Sequence, residues 1–421
     1  MHLRAFVRGS LGTSAALLAR AVGSLLLNKI IVLYGGPGSL AQLGRFQALM
    51  GLVGALPATG VQVGVTTHLP PLHAGAPRYR VWLGAAAWLT GLLVGVGALL
   101  VGALGGGEWP VGRTVIFGLA MLLVTGQSLL GAALLVAGRR GGYVALAVAI
   151  GALGLSGVGL MLVLGQPIGR VLLGYVVGQG FSFGLAWVLA IRAGLLRGWR
   201  PGWPSQVAVR GLLRFVLMAA GTQLFGQAIG YVLRAYLIKH YTPAATDLWQ
   251  AVDKLSGNYG MVVAVVLGTV FHPRLAALAP QPAEQRRYVN SVAGLLAVGL
   301  ALGLGLLFVV RRPLLSLLFA PRLAAAAPLL APQLLGDWAR FLGSLFNYNL
   351  LVRGRPGPYL AVQAGASVLY SGLLMGLVPR LGLPGVVDAY ALHYWLLLIG
   401  YVGWYYRKGA LARRSPLINP T

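Results

Sequence analysis

Long apolar runs, separated by short connections rich in glycine, proline and arginine, are the feature that most constrains how this chain folds. One of these runs reads LGAAAWLTGLLVGVGALLVGALGGG (83–107). A run of about 20 apolar residues crosses a bilayer as a helix, because hydrocarbon offers no hydrogen-bond partner to a free peptide group. No segment shows the alternating ten-residue pattern of a membrane barrel. The sequence therefore predicts an all-α polytopic membrane protein.

The composition is typical of the same class. Of the 421 residues, 9 % are charged and 58 % are hydrophobic, whereas a soluble domain carries about 25 % charged residues. The sequence contains no cysteine, which excludes disulfides and iron–sulfur ligation. The six histidines lack the paired spacing of a metal site, and GGPGS (35–39) is not followed by a P-loop lysine. The sequence thus predicts neither a cofactor nor a metal.

Glycine, proline and arginine divide the apolar runs into about twelve transmembrane helices. The N-terminal run is interpreted as the first helix and not as a signal peptide, because Arg20 interrupts it and it continues past Leu33. The predicted helices lie near 9–34, 40–67, 80–104, 111–137, 143–165, 168–195, 208–240, 244–271, 288–310, 323–352, 357–379 and 384–406.

Basic residues in the connections predict the orientation of the chain. With both termini in the cytoplasm, nineteen lysines and arginines fall on the cytoplasmic side and seven on the opposite side, which is the asymmetry that the positive-inside rule describes. Much of the net charge of +27 then faces anionic lipid head groups, and no nucleic-acid partner is expected.

The linker RAGLLRGWRPGWPSQVAVR (192–210) separates six predicted helices from six. This arrangement predicts an N-terminal six-helix lobe over 1–198 and a C-terminal six-helix lobe over 199–421, around a central cavity, as is common in transporters. No extramembrane domain is expected, because all the connections are short.

Polar side chains recur at helical spacing within the apolar helices, although an ionisable group at membrane depth costs at least about 2.5–3.5 kcal/mol. Residues three or four apart share one helix face, so each set predicts a polar stripe turned towards a water-filled cavity. The stripes are Arg20, Ser24 and Asn28 with Lys29 on the first helix, Gln223, Gln227, Tyr231 and Arg234 on the seventh, Asp247, Gln250, Lys254 and Asn258 on the eighth, and Gln333, Asp337, Arg340, Ser344 and Asn347 on the tenth.

Simpler explanations are open for some of the acids. Asp337 and Arg340 are three residues apart, so they can equally form an intrahelical pair that neutralises itself. Asp247 and Asp388 lie near predicted helix starts, where an acid interacts favourably with the helix dipole, and this explanation is preferred for both.

The intramembrane cations have a different distribution. Lys29, Arg45 and Arg234 lie near predicted periplasmic helix ends, where long side chains can also snorkel to head groups. Arg20 and Lys254 lie deeper, where neither snorkelling nor end effects explain them well. The first six helices carry Arg20, Lys29 and Arg45 without an intramembrane acid, and all four intramembrane acids lie in the second half. Excess cation on one lobe favours an anionic substrate.

Five segments, in register along the chain, resemble one known family. They are SLGTSAALLARAVGSLLLNKIIVLYGGPG (10–38), GRFQALMGLVGALPATGVQVGV (44–65), WQAVDKLSGNY (249–259), QLLGDWAR (333–340) and DAY (388–390). The family they resemble is that of the bacterial O-antigen and enterobacterial-common-antigen flippases, of the Wzx type. It belongs to the multidrug/oligosaccharidyl-lipid/polysaccharide exporter (MOP) superfamily. The length of the chain and the number and order of its helices resemble that family from end to end.

The chain departs from the family pattern at two places. After the segment ending in GV the family often has a lysine, whereas this chain has Thr66, Thr67 and His68. The family often places an acid directly after the serine of the eighth-helix segment. Here Gly257 stands there, and the acid is Asp253, one helical turn earlier on the same face.

The resemblance implies two six-helix bundles around a central cavity in the bacterial inner membrane. The implied function is that of a flippase, not an enzyme, for surface polysaccharide (O-antigen-like) synthesis. It would move an oligosaccharide on undecaprenyl diphosphate from the cytoplasmic to the periplasmic leaflet by alternating access. The implied partners are this lipid-diphosphate oligosaccharide, anionic membrane lipids and membrane proteins of polysaccharide assembly.

Three roles are predicted for the polar residues. Cations replace the water of the diphosphate in a low-dielectric cavity, and they are Arg20, Lys29, Arg45, Arg234 and Lys254. Side chains that line the cavity bind the glycan by hydrogen bonds, and they are Asn28, Gln47, Gln223, Gln227, Tyr231, Gln250, Asn258, Ser344 and Asn347. The candidates for ion coupling or an ion pair are Asp253, Asp337 and Arg340.

Two other functions remain as alternatives. A drug or small-cation exporter of the same superfamily needs acid on the cavity wall, and the first lobe has cations there instead. A membrane glycan polymerase or ligase typically carries a large periplasmic loop, which this sequence lacks.

Overall fold

The structure is a computed structural model of the chain. It describes residues 19–70, 72–73, 76–104, 110–198, 204–267, 271, 274–275, 278, 281–352 and 356–414. Within these ranges it describes only the backbone at 218, 221–225, 265, 282, 348–352, 356–360 and 408–414.

Twelve long helices account for most of the described residues, and no strand occurs among those residues. The predicted all-α polytopic fold is therefore confirmed. The helices are 19–34 (α1, in its described part), Ser39–His68 (α2), Pro77–Leu104 (α3), Val111–Val136 (α4), Arg140–Val163 (α5), Ile168–Arg192 (α6), Gln206–His240 (α7), Pro243–Val266 (α8), Pro282–Val309 (α9), Leu330–Val352 (α10), Pro356–Leu381 (α11) and Pro384–Arg414 (α12).

Helix ends show why glycine and proline marked the boundaries correctly. After α4 the chain turns at Gly138, whose φ of 73° is left-handed, and Gly165 ends α5 in the same way with a φ of 63°. A left-handed glycine lets the following N–H groups bond back to the last carbonyls of the helix. At the start of α8, Pro243 follows Thr242, whose hydroxyl accepts a hydrogen bond from the Ala245 N–H at 3.2 Å.

Eight of the described helices are long and apolar enough to cross a membrane by length and composition, namely α2 to α6, α9, α11 and α12. The other four long helices are α1, which is described only in part, and α7, α8 and α10. These four carry the predicted polar stripes, and polar residues lower the mean hydropathy of any window that contains them.

Two predicted helices contain segments of different geometry. Within α2, residues Leu56–Val61 form a π-helical turn that includes Pro57, because proline has no N–H and cannot sit in an unbroken α-helical hydrogen-bond ladder. The predicted tenth helix, 323–352, is corrected for the same reason. Residues Pro321–Leu329 form a 3₁₀ segment that contains Pro328, and the α-helix begins only at Leu330.

Contacts divide the chain into two units, Met1–His240 and Tyr241–Thr421. Helix α7 groups with the first unit, because it packs against α2 and α3. The predicted lobe boundary at 198/199 was drawn from the linker and from the helix count, and it stays a prediction.

Helices α2 and α7 of the first unit run antiparallel and contact each other along most of their length. A methyl group on Gly60 would lie 2.7 Å from the Val216 Cα, and one on Gly64 would lie 2.5 Å from a Leu212 methyl. Further along, Gly51 is opposite Gln227. Backbones approach this closely only where small residues stand at the contact. Small residues on α2 thus allow a close crossing of α2 and α7.

Candidate functional site

The first unit holds four of the five predicted diphosphate-binding cations. Arg20 lies exposed on α1, with its guanidinium carbon 5.7 Å from the ring centroid of Tyr143 on α5. One turn further along α1, Gly23 packs on Gly151 of α5. Arg20 is therefore held against α5 and keeps an exposed guanidinium, and its contact with a diphosphate stays a prediction.

Asn28 is the most unusual polar side chain of α1. It is 0 % exposed, and neither its amide nitrogen nor its amide oxygen has a hydrogen-bond partner among the described residues. Buried amides in proteins nearly always have such partners. The next residue, Lys29, is half-buried. Asn28 thus has unused hydrogen-bonding capacity beside a predicted phosphate ligand.

The α2–α7 crossing brings four predicted site residues together. The Arg45 Nη2 donates to the Tyr231 hydroxyl at 3.4 Å, and its guanidinium carbon lies 5.7 Å from the Tyr231 ring centroid. On the same helix as Tyr231, the Arg234 Nη1 donates to the Gly230 carbonyl at 2.9 Å. Gln227, one turn before Tyr231, faces α2. Gln47 is half-buried on α2, and the predicted Gln223 side chain lies outside the described part of α7.

Helix α8 of the second unit carries the next predicted stripe. Gln250 is fully buried, and its Nε2 donates to an Asp253 carboxylate oxygen at 3.1 Å. Lys254 is half-buried near the middle of the helix. The Asn258 amide nitrogen is buried and has no hydrogen-bond partner among the described residues. The stripe therefore combines a cation with hydrogen-bonding groups, and its place on a cavity wall stays a prediction.

The interpretation of Asp247 and Asp388 as helix-dipole acids is wrong in its geometry. The first turns of α8 and α12 contain no acid, because both residues lie one turn deeper. Asp247 is 1 % exposed and has Arg322, in the 3₁₀ segment, as an ion-pair partner at 3.9 Å. Burial without a paired charge would be costly, so an ion pair explains Asp247 better than an end effect does.

The strongest polar cluster of the second unit surrounds Asp337 on α10, which is 0 % exposed. We call it the Asp337 network. Its carboxylate accepts hydrogen bonds from four side chains, and it lies 3.7 Å from the Arg340 Nη1. The donors are Ser256 (2.8 Å to each oxygen), Tyr390 (2.6 Å), Gln333 (3.4 Å) and Tyr259.

Arg340 occupies the edge of this network. Its Nη1 donates to the Tyr390 hydroxyl at 3.0 Å, and its guanidinium carbon lies 5.4 Å from the Phe341 ring and 5.8 Å from the Tyr394 ring. The side chain remains 37 % exposed. The predicted Asp337–Arg340 pair is therefore present, but the carboxylate has closer partners than the guanidinium.

Sequence reasoning missed Ser256, Tyr259 and Tyr390 as functional residues. Ser256 and Tyr259 are three apart on the α8 face opposite to Lys254, and this face packs against α10. The available signal was that Tyr259 and Tyr390 each close a segment that resembles the flippase family. No periodicity within one helix shows that these residues meet on one carboxylate.

The remaining predicted residues of α10 differ from each other. The Ser344 hydroxyl donates to the Arg340 carbonyl one turn back, at 2.9 Å, so it bonds within its own helix. The Asn347 amide oxygen is buried and has no hydrogen-bond partner among the described residues.

A separate apolar cavity of about 550 Å³, which Trp338 and Trp395 help to line, contacts none of the predicted site residues. Within the described ranges, no three His, Asp or Glu side chains lie close enough to hold a metal ion.

The fold resembles that of solved flippase and MATE transporter structures. It is similar to the lipid II flippase MurJ in an inward closed conformation, with a TM-score of 0.68, 11 % identity, and coverage of 94 % of this chain and 87 % of that chain. It is also similar to a MATE transporter in complex with MaD5, with a TM-score of 0.64, 15 % identity, and coverage of 97 % and 96 %. A MATE transporter described as belonging to the MOP superfamily shares the fold at a TM-score of 0.54, with 15 % identity and coverage of 96 % and 97 %.

The sequence is also similar to particular proteins. It is 24 % identical over 410 residues to the lipid III flippase of Escherichia coli (strain K12), covering 92 % of this chain and 95 % of that protein. The lipid III flippase of Shigella flexneri matches with the same identity and coverage. No protein-family model matches the chain. The predicted fold is thus confirmed, whereas the superfamily and the O-antigen type of flippase stay predictions.

Proposed function

We propose that this protein is a flippase for an oligosaccharide linked to undecaprenyl diphosphate. It moves this substrate from the cytoplasmic to the periplasmic leaflet of the bacterial inner membrane, by alternating access, for O-antigen-like polysaccharide synthesis. The observation that carries the proposal is the end-to-end sequence similarity to a lipid III flippase, which spans 95 % of that protein.

The contacts of the predicted residues support an anionic, glycan-bearing substrate. A diphosphate needs cations in a site of low dielectric constant, and Arg45, Arg234 and Lys254 are all half-buried. A glycan needs hydrogen-bond donors and acceptors, and the two asparagines Asn28 and Asn258 have buried amide atoms without a partner among the described residues. A ligand or water that binds such buried polar atoms would supply the hydrogen-bond partners that they lack among the described residues.

The coupling hypothesis now favours one of its two acids. Asp337 accepts hydrogen bonds from four side chains, and a carboxylate in such a network is suited to holding helices together. Asp253 is half-buried and accepts a hydrogen bond from Gln250, a member of the stripe that contains Lys254. We therefore propose Asp253 as the group through which a proton or ion gradient drives transport.

The test is complementation of a bacterial strain that lacks its own lipid-linked oligosaccharide flippase. The wild-type chain is expected to restore surface polysaccharide, and replacement of Arg45 or Lys254 by Gln is expected to abolish this at normal expression. Arg312→Gln is the matched control, because Arg312 is an exposed arginine of the short helix Arg311–Leu318, which follows α9. It removes the same charge and is expected to leave complementation intact.

Two results would contradict the proposal. One is failure of the wild-type chain in strains that carry several different lipid-linked glycans. The other is drug resistance conferred by the same chain without any effect on polysaccharide, which would identify a drug exporter instead.

A further inference from the structure

The side chain of Arg340, which is 37 % exposed, lies at the edge of the Asp337 network, whose carboxylate is fully buried. We infer that Arg340 is a further substrate-binding residue, which presents its guanidinium to a phosphate group of a lipid, with Tyr390 and Asp337 as positioning residues. This inference rests on the proposed function, and it assigns to Arg340 a role other than neutralising Asp337.

The ion pair with Asp337 does not include a direct hydrogen bond to the Arg340 guanidinium. The Nη1–Oδ1 distance to Asp337 is 3.7 Å, longer than a hydrogen bond. The carboxylate instead accepts from Ser256 at 2.8 Å and from Tyr390 at 2.6 Å. The Nη1 of Arg340 in turn donates to the Tyr390 hydroxyl at 3.0 Å. The phenol therefore links the two charged groups and holds the guanidinium at a fixed position.

The exposure of the two groups is unequal. Asp337 is 0 % exposed and Arg340 is 37 % exposed. A phosphate that approaches from the exposed side reaches the guanidinium before the carboxylate, and Coulomb attraction at the shorter distance exceeds repulsion at the longer one. An arginine at membrane depth that faced hydrocarbon would be strongly unfavourable. The exposed part of Arg340 is thus suited to water or to an anion.

Aromatic rings restrict the guanidinium further. Phe341 lies 5.4 Å and Tyr394 5.8 Å from its central carbon. Rings at this distance attract a cation and limit its rotamers. A guanidinium held in this way keeps its planar set of donors, which matches two oxygens of a phosphate group.

The same helix face offers a group for a sugar. Asn347 is two turns beyond Arg340 on α10, about 10 Å along the helix axis, and its buried amide oxygen has no hydrogen-bond partner among the described residues. A phosphate at Arg340 with a sugar hydroxyl at Asn347 would use both groups. Predicted topology places Asn347 towards the cytoplasmic end of α10, from which the substrate enters.

The test measures binding of farnesyl diphosphate to the purified full-length chain in phosphatidylcholine nanodiscs. Arg340→Gln is expected to weaken binding about 10- to 100-fold, the loss typical of a charge-assisted hydrogen bond. Arg340→Lys is expected to lie between this variant and the wild type, because lysine retains the charge without the fork geometry. Tyr390→Phe is expected to weaken binding less than Arg340→Gln, and Arg312→Gln is expected to bind as the wild type does.

A second arm of the test separates two sources of phosphate. Phosphatidylglycerol added to the nanodiscs is expected to compete weakly with farnesyl diphosphate. Full competition would overturn the substrate assignment, because the site would then bind lipid head groups. Absence of binding to the wild-type chain, or binding by Arg340→Gln within twofold of the wild type, would overturn the inference. If Arg340→Gln does not fold, unaltered affinity in Arg340→Lys overturns it instead.

Failure of this inference differs from failure of the proposed function. A chain that restores polysaccharide while Arg340→Gln binds normally contradicts only the role of Arg340. A chain that binds farnesyl diphosphate through Arg340 and restores no polysaccharide contradicts only the flippase proposal.

Discussion

Replacing Asp337 by Asn tests the stability that the buried carboxylate contributes to the second unit. The substitution keeps the shape of the side chain but removes its charge. It also turns one of two accepting positions into an NH₂ group that only donates. That group would face side chains that now donate to the carboxylate, namely Ser256 at 2.8 Å, Tyr390 at 2.6 Å, Gln333 at 3.4 Å and Tyr259.

The magnitude follows from the number of hydrogen bonds that change. A hydrogen bond to a charged group contributes about 1.5–3 kcal/mol and a neutral one about 0.5–1.5 kcal/mol. Four bonds that lose their charge assistance at roughly 1 kcal/mol each cost about 4 kcal/mol, within the range of about 3–5 kcal/mol for breaking a buried ion pair. The half-exposed Arg340 adds little, because water can solvate it.

The measurement is the apparent unfolding temperature of the purified chain in detergent, followed by tryptophan fluorescence. A loss of this size lowers it by roughly 6–20 °C. Asp253→Asn is the matched control: Asp253 is half-buried and bonded to Gln250, so a fall of only a few degrees is expected. An Asp337→Asn variant that unfolds within about 2 °C of the wild type would refute the stabilising role of the Asp337 network.

Three further predictions follow from the fold. Gly60→Ala, whose added methyl group would lie 2.7 Å from the Val216 backbone, is expected to lower the free energy of unfolding by about 1–3 kcal/mol. The control is Gly95→Ala, whose methyl group meets no atom within 4 Å and should leave the unfolding temperature nearly unchanged. Equal unfolding temperatures of the two variants would contradict the close α2–α7 crossing. Because the chain has no cysteine, single introduced cysteines can report its orientation in the membrane. Arg139→Cys should react with a membrane-impermeant thiol reagent only after the inner membrane is opened, whereas Arg170→Cys should react while that membrane is still intact. The reverse pattern would place the termini in the periplasm. Asp253→Asn should make transport in proteoliposomes insensitive to an imposed pH gradient or membrane potential, whereas retained gradient dependence would remove Asp253 from the coupling role.

The helices could be predicted from sequence because their causes are local. Apolar runs of sufficient length form helices in lipid, and glycine after a helix or proline at its start marks the boundary, as Gly138 and Pro243 do here. The sequence did not predict the local helix geometry at two prolines that lie inside such runs. Pro57 leads to a π-helical turn in α2, and Pro328 to a 3₁₀ segment before α10. An interior proline shows that the ladder is interrupted, but not which alternative geometry packs best.

Part of the functional site could be predicted from local sequence patterns in the same way. Helical periodicity placed Tyr231 and Arg234 on one stripe, and the structure brings Tyr231 into contact with Arg45, another predicted cation. The hydrogen-bond partners of Asp337 could not be predicted from the sequence, because Ser256 and Tyr390 are far from it along the chain and on other helices. Which side chains meet across two helices depends on how each helix is rotated about its axis and on how closely the helices pack. The periodicity within a single helix predicts neither of these.

From the sequence alone came the apolar helices of the described residues and the polar stripes of four of them, since hydrocarbon penalises every unpaired peptide and every exposed charge along the chain itself. Only the tertiary structure decided that Asp337 would have four donors from three helices, and that Arg340 would remain half-exposed beside it. The physical reason is that a hydrogen bond forms over about 3 Å. The packing of neighbouring helices sets distances on that scale, and local composition does not.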